Sequence, residues 1–150
     1  FVMFSDVELT IACATELLKR VPEHDVLLTA ESKGIPLAYE MSRQSGKRYI
    51  LARKSKKLYM KNAVEVDVRS ITTNGMQKLY LSGEDMEYLK GKKGLLVDDV
   101  ISTGESLSAL EDLVHEIGGN VVGKAAVLAE GDAKDRTDII YLEPLPLFFK

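Results

Sequence analysis

The sequence predicts an α/β fold: a mostly parallel, twisted sheet flanked by helices, with a protruding β-hairpin. Three observations lead there. Helical and strand-like patterns alternate along most of the chain, the mark of β-α-β units with helices on both faces of a parallel sheet. Leu95-Leu96-Val97 runs directly into Asp98-Asp99, as a buried strand does when it surfaces at one end. Val64, Val66 and Val68 alternate with Glu65, Asp67 and Arg69 ahead of Asn74-Gly75, a strong short-range hairpin signal.

The elements follow in order. Ser5 or Asp6 can cap a helix reaching about residue 19, with Leu9, Ala12, Cys13, Leu17 and Leu18 on its apolar side. Residues 25–30 read as a buried strand and 31–34 as a loop. A helix over about 36–44 has Pro36 suitably placed in its first turn. Residues 48–53 form the next strand, and 63–71 with 77–81 form the half-exposed hairpin. After the 95–99 strand, a helix over about 105–117 stops at Gly118-Gly119. Strands over 121–128 and 138–142 complete the pattern. No repeat, low-complexity tract or linker interrupts it, so one domain is expected over 1–150. The chain begins on Phe1 and not on Met, which leaves room for a preceding segment.

Composition bounds the function. With 45% apolar and 29% charged residues, the chain reads as a globular protein and not as a disordered tail. No apolar run approaches a membrane span, so no membrane association is expected. Cys13 is the single cysteine and reads as a small core residue; its isolation suggests a reducing, cytoplasmic setting. The net charge of −3 argues against a nucleic-acid partner for this segment. Yet Arg43, Lys47, Arg48, Arg53, Lys54, Lys56, Lys57 and Lys61 fall in a stretch without any Asp or Glu. Such a run is either a solvated loop or the seat of a compact, highly charged anion. His24 and His115 are isolated and read as surface residues, and no nucleotide P-loop or dinucleotide fingerprint occurs.

In open parallel sheets, ligands bind beyond the carboxyl ends of the strands. Residues 31–34, 53–57 and 98–106 all fall at such ends. The last begins with two acids and continues through Ser102, Thr103 and Gly104 to a helix opening at Glu105 and Ser106. Free backbone amides at a helix start, reinforced by hydroxyls, make a cradle for phosphate. Adjacent carboxylates can accept from sugar hydroxyls or face a divalent cation.

This segment resembles the type I phosphoribosyltransferases, whose pattern is an apolar strand, two acids, small residues and a Thr-Gly phosphate loop. The resemblance implies that Asp98 and Asp99 hold the ribose hydroxyls of phosphoribosyl pyrophosphate and lie beside Mg²⁺, and that Ser102, Thr103, Gly104, Glu105 and Ser106 surround its 5′-phosphate. Glu105 replaces a glycine common in the family, and its carboxylate is expected to point away from the phosphate. Glu31-Ser32-Lys33-Gly34 is similar to the pyrophosphate loop of the adenine group, with Lys33 in place of an arginine. Arg53-Lys54-Ser55-Lys56-Lys57 is similar to the family's Arg-Lys-x-x-Lys. It implies Arg53 on the pyrophosphate or the base, acting with Asp98 and Asp99 in catalysis, Lys54 as a further substrate contact, and Lys56 and Lys57 opening a mobile flap that the hairpin continues.

Two further features bear on the base. The Leu-Glu-Tyr-Gly that adenine enzymes carry in the flap has no counterpart here; the nearest stretch is Thr72-Thr73-Asn74-Gly75, and Glu65 is not assigned that role. Glu130, after the 121–128 strand, falls in the family's base-specificity region, where a carboxylate suits an amino group and leans towards adenine. The implied reaction moves a 5-phosphoribosyl group to a purine nitrogen through an oxocarbenium-like centre and releases pyrophosphate. A homodimer is the expected assembly. The rival readings are a regulatory domain that senses phosphoribosyl pyrophosphate without chemistry, and a response-regulator receiver suggested by Leu-Leu-Val-Asp-Asp. The receiver lacks a later strand that ends in an acceptor aspartate.

Overall fold

The computed structural model describes residues 7–31, 34–54, 62–69, 76–101, 105–129 and 139–144. Helix α1 (Val7–Arg20) leads to strand β1 (Val26–Ala30), helix α2 (Ile35–Ser45) and strand β2 (Arg48–Ala52). Strands β3 (Ala63–Arg69) and β4 (Met76–Ser82) pair antiparallel, and a short helix, α3 (Gly83–Leu89), follows. Strand β5 (Lys93–Ile101), helix α4 (Glu105–Ile117) and strands β6 (Asn120–Ala129) and β7 (Ile139–Pro144) complete the order. Five strands form one parallel sheet in the order β2-β1-β5-β6-β7, and β3-β4 form a second, small sheet.

The core lies in two layers on either side of the parallel sheet. Leu27, Leu95, Val97 and Val127 pack against Cys13, Leu17, Leu37 and Met41 of α1 and α2. Leu28, Leu96 and Ala126 pack on the other face with Leu110 and Leu113 of α4. The hairpin belongs to this second layer. Val66, Val68, Leu79 and Leu81 are buried within it, while Glu65, Asp67 and Lys78 stay exposed on the opposite face. The alternation read from sequence therefore gives a half-exposed hairpin, with its apolar side seated on α4.

Most predicted elements occur within a residue or two of their expected limits. Gly118 ends α4 at φ +98° and Gly46 ends α2 at φ +74°, conformations that favour glycine. Four details differ. Along α1, Ala12 is exposed while Thr10 and Ala14 are buried, a rotation of the apolar stripe. His24 is a buried residue and not a surface one, with its Nδ1 3.0 Å from the Pro22 carbonyl. Strand β5 continues through Asp98 and Asp99 to Ile101, because β6 pairs with it as far as Ala129. Helix α3 adds an element to the expected order; the Ser82 hydroxyl caps it by accepting from the Asp85 amide at 3.1 Å.

The topology itself marks a crevice. From β1 the chain crosses through α2 to β2 on one side; from β5 it crosses through α4 to β6 on the other. The two crossovers run in opposite directions, so α2 and α4 lie on opposite faces, and the sheet opens between the carboxyl ends of β1 and β5.

Candidate active site

Strand β1 delivers Glu31 to that crevice, β2 delivers Arg53 and Lys54, and β5 delivers Asp98 and Asp99. Because β1 is hydrogen-bonded to both β2 and β5, the three termini are neighbours although they lie far apart in sequence.

Glu31 is the knot between the first two. Its backbone amide donates to the Ala52 carbonyl at 3.1 Å. Its Oε1 accepts from the Lys54 amide at 2.7 Å, and its Oε2 accepts from Arg53 Nη1 at 3.2 Å. Arg53 is held again by its main chain, which exchanges two hydrogen bonds with Tyr80 of β4, at 2.9 and 2.8 Å. The hairpin is thereby joined to the edge of the parallel sheet at the residue whose guanidinium reaches Glu31.

On the other side of the crevice, Asp99 is buried and its amide donates to Asp98 Oδ1 at 2.8 Å. Asp98 is pushed up to about 7, first by burial and then by the hydrogen bond and the like charge of Asp99; its neighbour's amide and the Lys54 ammonium act in the opposite sense. Gly34 closes the floor between the two sides. It occupies the N-cap of α2 with no side chain capping the helix, and a Cβ there would lie 3.4 Å from Asp98 Oδ1. Helix α2 thus starts beside Asp98, with the positive end of its dipole at the crevice.

The two carboxylates fit a hard divalent cation. Burial and mutual repulsion disfavour two negative charges side by side, and a cation relieves both. Among the described residues no group of three or more His, Cys, Asp or Glu could hold a metal. A pair of carboxylates is what Mg²⁺ uses when substrate oxygens and water supply its other ligands.

Of the residues singled out from sequence, Glu31, Gly34, Arg53, Lys54, Asp98 and Asp99 come together here. Ser32, Lys33, Lys56, Lys57, Ser102, Thr103, Gly104 and Glu130 lie outside the described residues, as do the side chains of Glu105 and Ser106. The basic run divides. Arg43 pairs with Glu40 on α2, and Arg48, at the start of β2, pairs with Asp85 of α3 and lies over the Tyr88 ring, so both serve packing at a distance from the crevice. Two residues escaped sequence reasoning. Thr29 is buried beside Gly34, and its chemistry was hidden in an apolar strand. Tyr80 meets Arg53 only through a pairing that joins the two sheets, for which no local pattern exists.

The family description that matches the chain is phosphoribosyl transferase domain, over residues 8–144. The chain is 32% identical over 124 residues to hypoxanthine/guanine phosphoribosyltransferase of Methanococcus voltae, covering 82% of this chain and 63% of that protein. It is 33% identical over 122 residues to adenine phosphoribosyltransferase of Thermotoga sp., covering 81% and 64%. It is 30% identical over 113 residues to the purine biosynthesis transcriptional repressor of Bacillus subtilis, covering 75% and 39%. The chain therefore spans less than two thirds of the length of these relatives. In fold it is similar to the crystal structure of adenine phosphoribosyltransferase from Thermoanaerobacter pseudethanolicus, with TM-score 0.75 and 20% identity over 95% of this chain and 84% of that one.

Proposed function

The chain belongs to the phosphoribosyl transferase domain family, and on that premise we propose that it transfers a 5-phosphoribosyl group from phosphoribosyl pyrophosphate to a purine base, adenine before the 6-oxopurines, with release of pyrophosphate. The observation that carries this reading is the crevice between β1 and β5, with the Asp98–Asp99 pair on one wall and the Glu31–Arg53 knot on the other.

Each wall has a task. Asp98 and Asp99 accept from the ribose hydroxyls and are the residues that would hold Mg²⁺, which supplies charge compensation for the departing pyrophosphate. Residues 102–106, ahead of and within the first turn of α4, bind the 5′-phosphate by main-chain amides and hydroxyls. Lys33, Gly34, Lys54 and the amides opening α2 receive the pyrophosphate. Lys56 and Lys57, with the hairpin, cover the site and exclude water, which strengthens each cation–phosphate contact. No protein nucleophile is needed: the rate comes from orientation and from compensation of developing charge. Glu130 receives the exocyclic amino group of adenine. The active form is a cytoplasmic homodimer, and Val7, Ile11 and Tyr39, exposed on α1 and α2, give it an apolar surface to bury. Of the described residues, no helix is long and apolar enough to cross a membrane.

The test is a base panel: phosphoribosyl pyrophosphate and Mg²⁺ with adenine, hypoxanthine or guanine, and separation of the nucleotides formed. Formation of AMP is expected. Binding of phosphoribosyl pyrophosphate with no product from any base would overturn the enzyme and favour a sensing domain, the reading that the similarity to a transcriptional repressor supports.

A further inference from the structure

The wall formed by β1 and β2 places a carboxylate where an anionic ligand would have to come. Glu31 precedes Lys33 and Gly34, to which the proposed function gives the pyrophosphate, and a carboxylate facing that group would repel it. The geometry resolves the conflict. Both Glu31 oxygens are already engaged, Oε1 by the Lys54 amide at 2.7 Å and Oε2 by Arg53 Nη1 at 3.2 Å. The pair is largely withdrawn from solvent, with the Arg53 side chain 23% exposed and that of Glu31 19% exposed. The Glu31 amide in turn donates to Ala52, so backbone and side chain together fasten the end of β1 to the end of β2.

We infer that Glu31 and Arg53 are a positioning pair: neither needs to touch the substrate, and together they hold the end of β1 against the main chain of Lys54, beside the proposed pyrophosphate site. Glu31 supplies the two acceptors that hold β2's end in place. Arg53 neutralises the carboxylate so that the end of β1 meets the ligand without a negative charge, and its main chain ties the same point to Tyr80 of the hairpin. Glutamine at position 31 cannot reproduce this, because its amide nitrogen would face either the guanidinium or the Lys54 amide, donor against donor.

The inference rests on the proposed phosphoribosyl pyrophosphate site and is tested by calorimetry with two probes in the presence of Mg²⁺: phosphoribosyl pyrophosphate, and ribose 5-phosphate, which lacks the pyrophosphate. Glu31→Gln and Arg53→Gln should each weaken phosphoribosyl pyrophosphate by about tenfold and leave ribose 5-phosphate within about twofold. The double variant should be no weaker than the poorer single one, because the two act as a unit. Glu31→Asp, which keeps the acceptors, should recover part of the loss. Unchanged phosphoribosyl pyrophosphate affinity in Glu31→Gln, losses that add in the double variant, or an equal loss of ribose 5-phosphate would each overturn the pair. A wild-type chain that binds neither probe would instead bring down the proposed function, and the pair with it.

Discussion

Gly34 lies against the backbone of Asp98: a Cβ on Gly34 would stand 3.2 Å from the Asp98 Cα and 2.4 Å from Thr29 Oγ1. Two parallel strands and a helix start are packed here with no room for a methyl group, and Thr29 is itself fully buried. The φ of Gly34 is −80°, so the demand for glycine is one of space and not of backbone conformation.

Gly34→Ala should therefore strain the crevice directly. The buried Thr29 hydroxyl and the Asp98 main chain must both give way, at a cost of about 1–3 kcal/mol. Urea unfolding should show the loss, and ribose 5-phosphate affinity should fall as well, since the displaced strand is the one that carries the acid pair. A variant with wild-type stability would mean that the close approach is not maintained in solution.

Asp98 makes stability depend on pH in an unusual direction. Its carboxyl holds a proton up to about 7, against an ordinary value of 3.8. Between these values the folded chain binds more protons than the unfolded one, so this contribution is complete at low pH and is lost as pH rises through about 7. The range is about 4 kcal/mol at most. Comparing wild type with Asp98→Asn by urea unfolding from about pH 5 to about pH 8 isolates it: the wild type should lose ground to the variant as pH rises. Glu40 acts oppositely. Hydrogen bonds from Arg43 and then Gln44 hold its carboxyl below the usual range, so its contribution is present above that range and lost in acid.

The acid pair also sets the strongest expectation for binding. Asp98→Asn combined with Asp99→Asn removes both carboxyl groups that face the sugar hydroxyls and the oxygen donors for a cation. Phosphoribosyl pyrophosphate affinity should drop by about a hundredfold or more with the fold kept. Unchanged calorimetric affinity would remove the ribose assignment.

How much of this the sequence carries can be judged residue by residue. Asp98 and Asp99 stand out because charge interrupts an apolar run, and the hairpin stands out because Val64, Val66 and Val68 alternate with charged residues. Both signals are local. Helix α3 was equally available, since Ser82 stands three residues before Asp85 as a capping residue should, but seven residues with little apolar periodicity hid it. The rotation of α1 onto Thr10 and Ala14 comes from how α1 packs on α2, and the burial of His24 comes from the fold around it; neither can be read from a single helix or loop. The site splits along the same line. Its members are legible one by one, whereas the Glu31–Arg53–Tyr80 arrangement joins three segments and exists only once both sheets are assembled.

That arrangement yields a last prediction. Tyr80 stands opposite Glu65 in the β3–β4 ladder. Its N–H and C=O both go to Arg53, and the neighbouring Gly83 amide bonds to Asn62 three residues away along each strand, so 65 and 80 form a pair without mutual hydrogen bonds. Tyr80→Pro therefore deletes a bond between hairpin and sheet and none within the hairpin. It also removes the ring hydroxyl that donates to Glu65 Oε1 at 3.2 Å, a contact that Tyr80→Phe deletes alone as a control. Hydrogen exchange should quicken at Arg53 in the proline variant while the Val64 and Val66 amides, bonded within the hairpin, stay protected. The overall loss should be about 1–3 kcal/mol, that of an unsatisfied Arg53 carbonyl. Equal acceleration at Val64 and Val66 would mean that the hairpin does not stand without its tie to β2, and that the two sheets unfold as one unit.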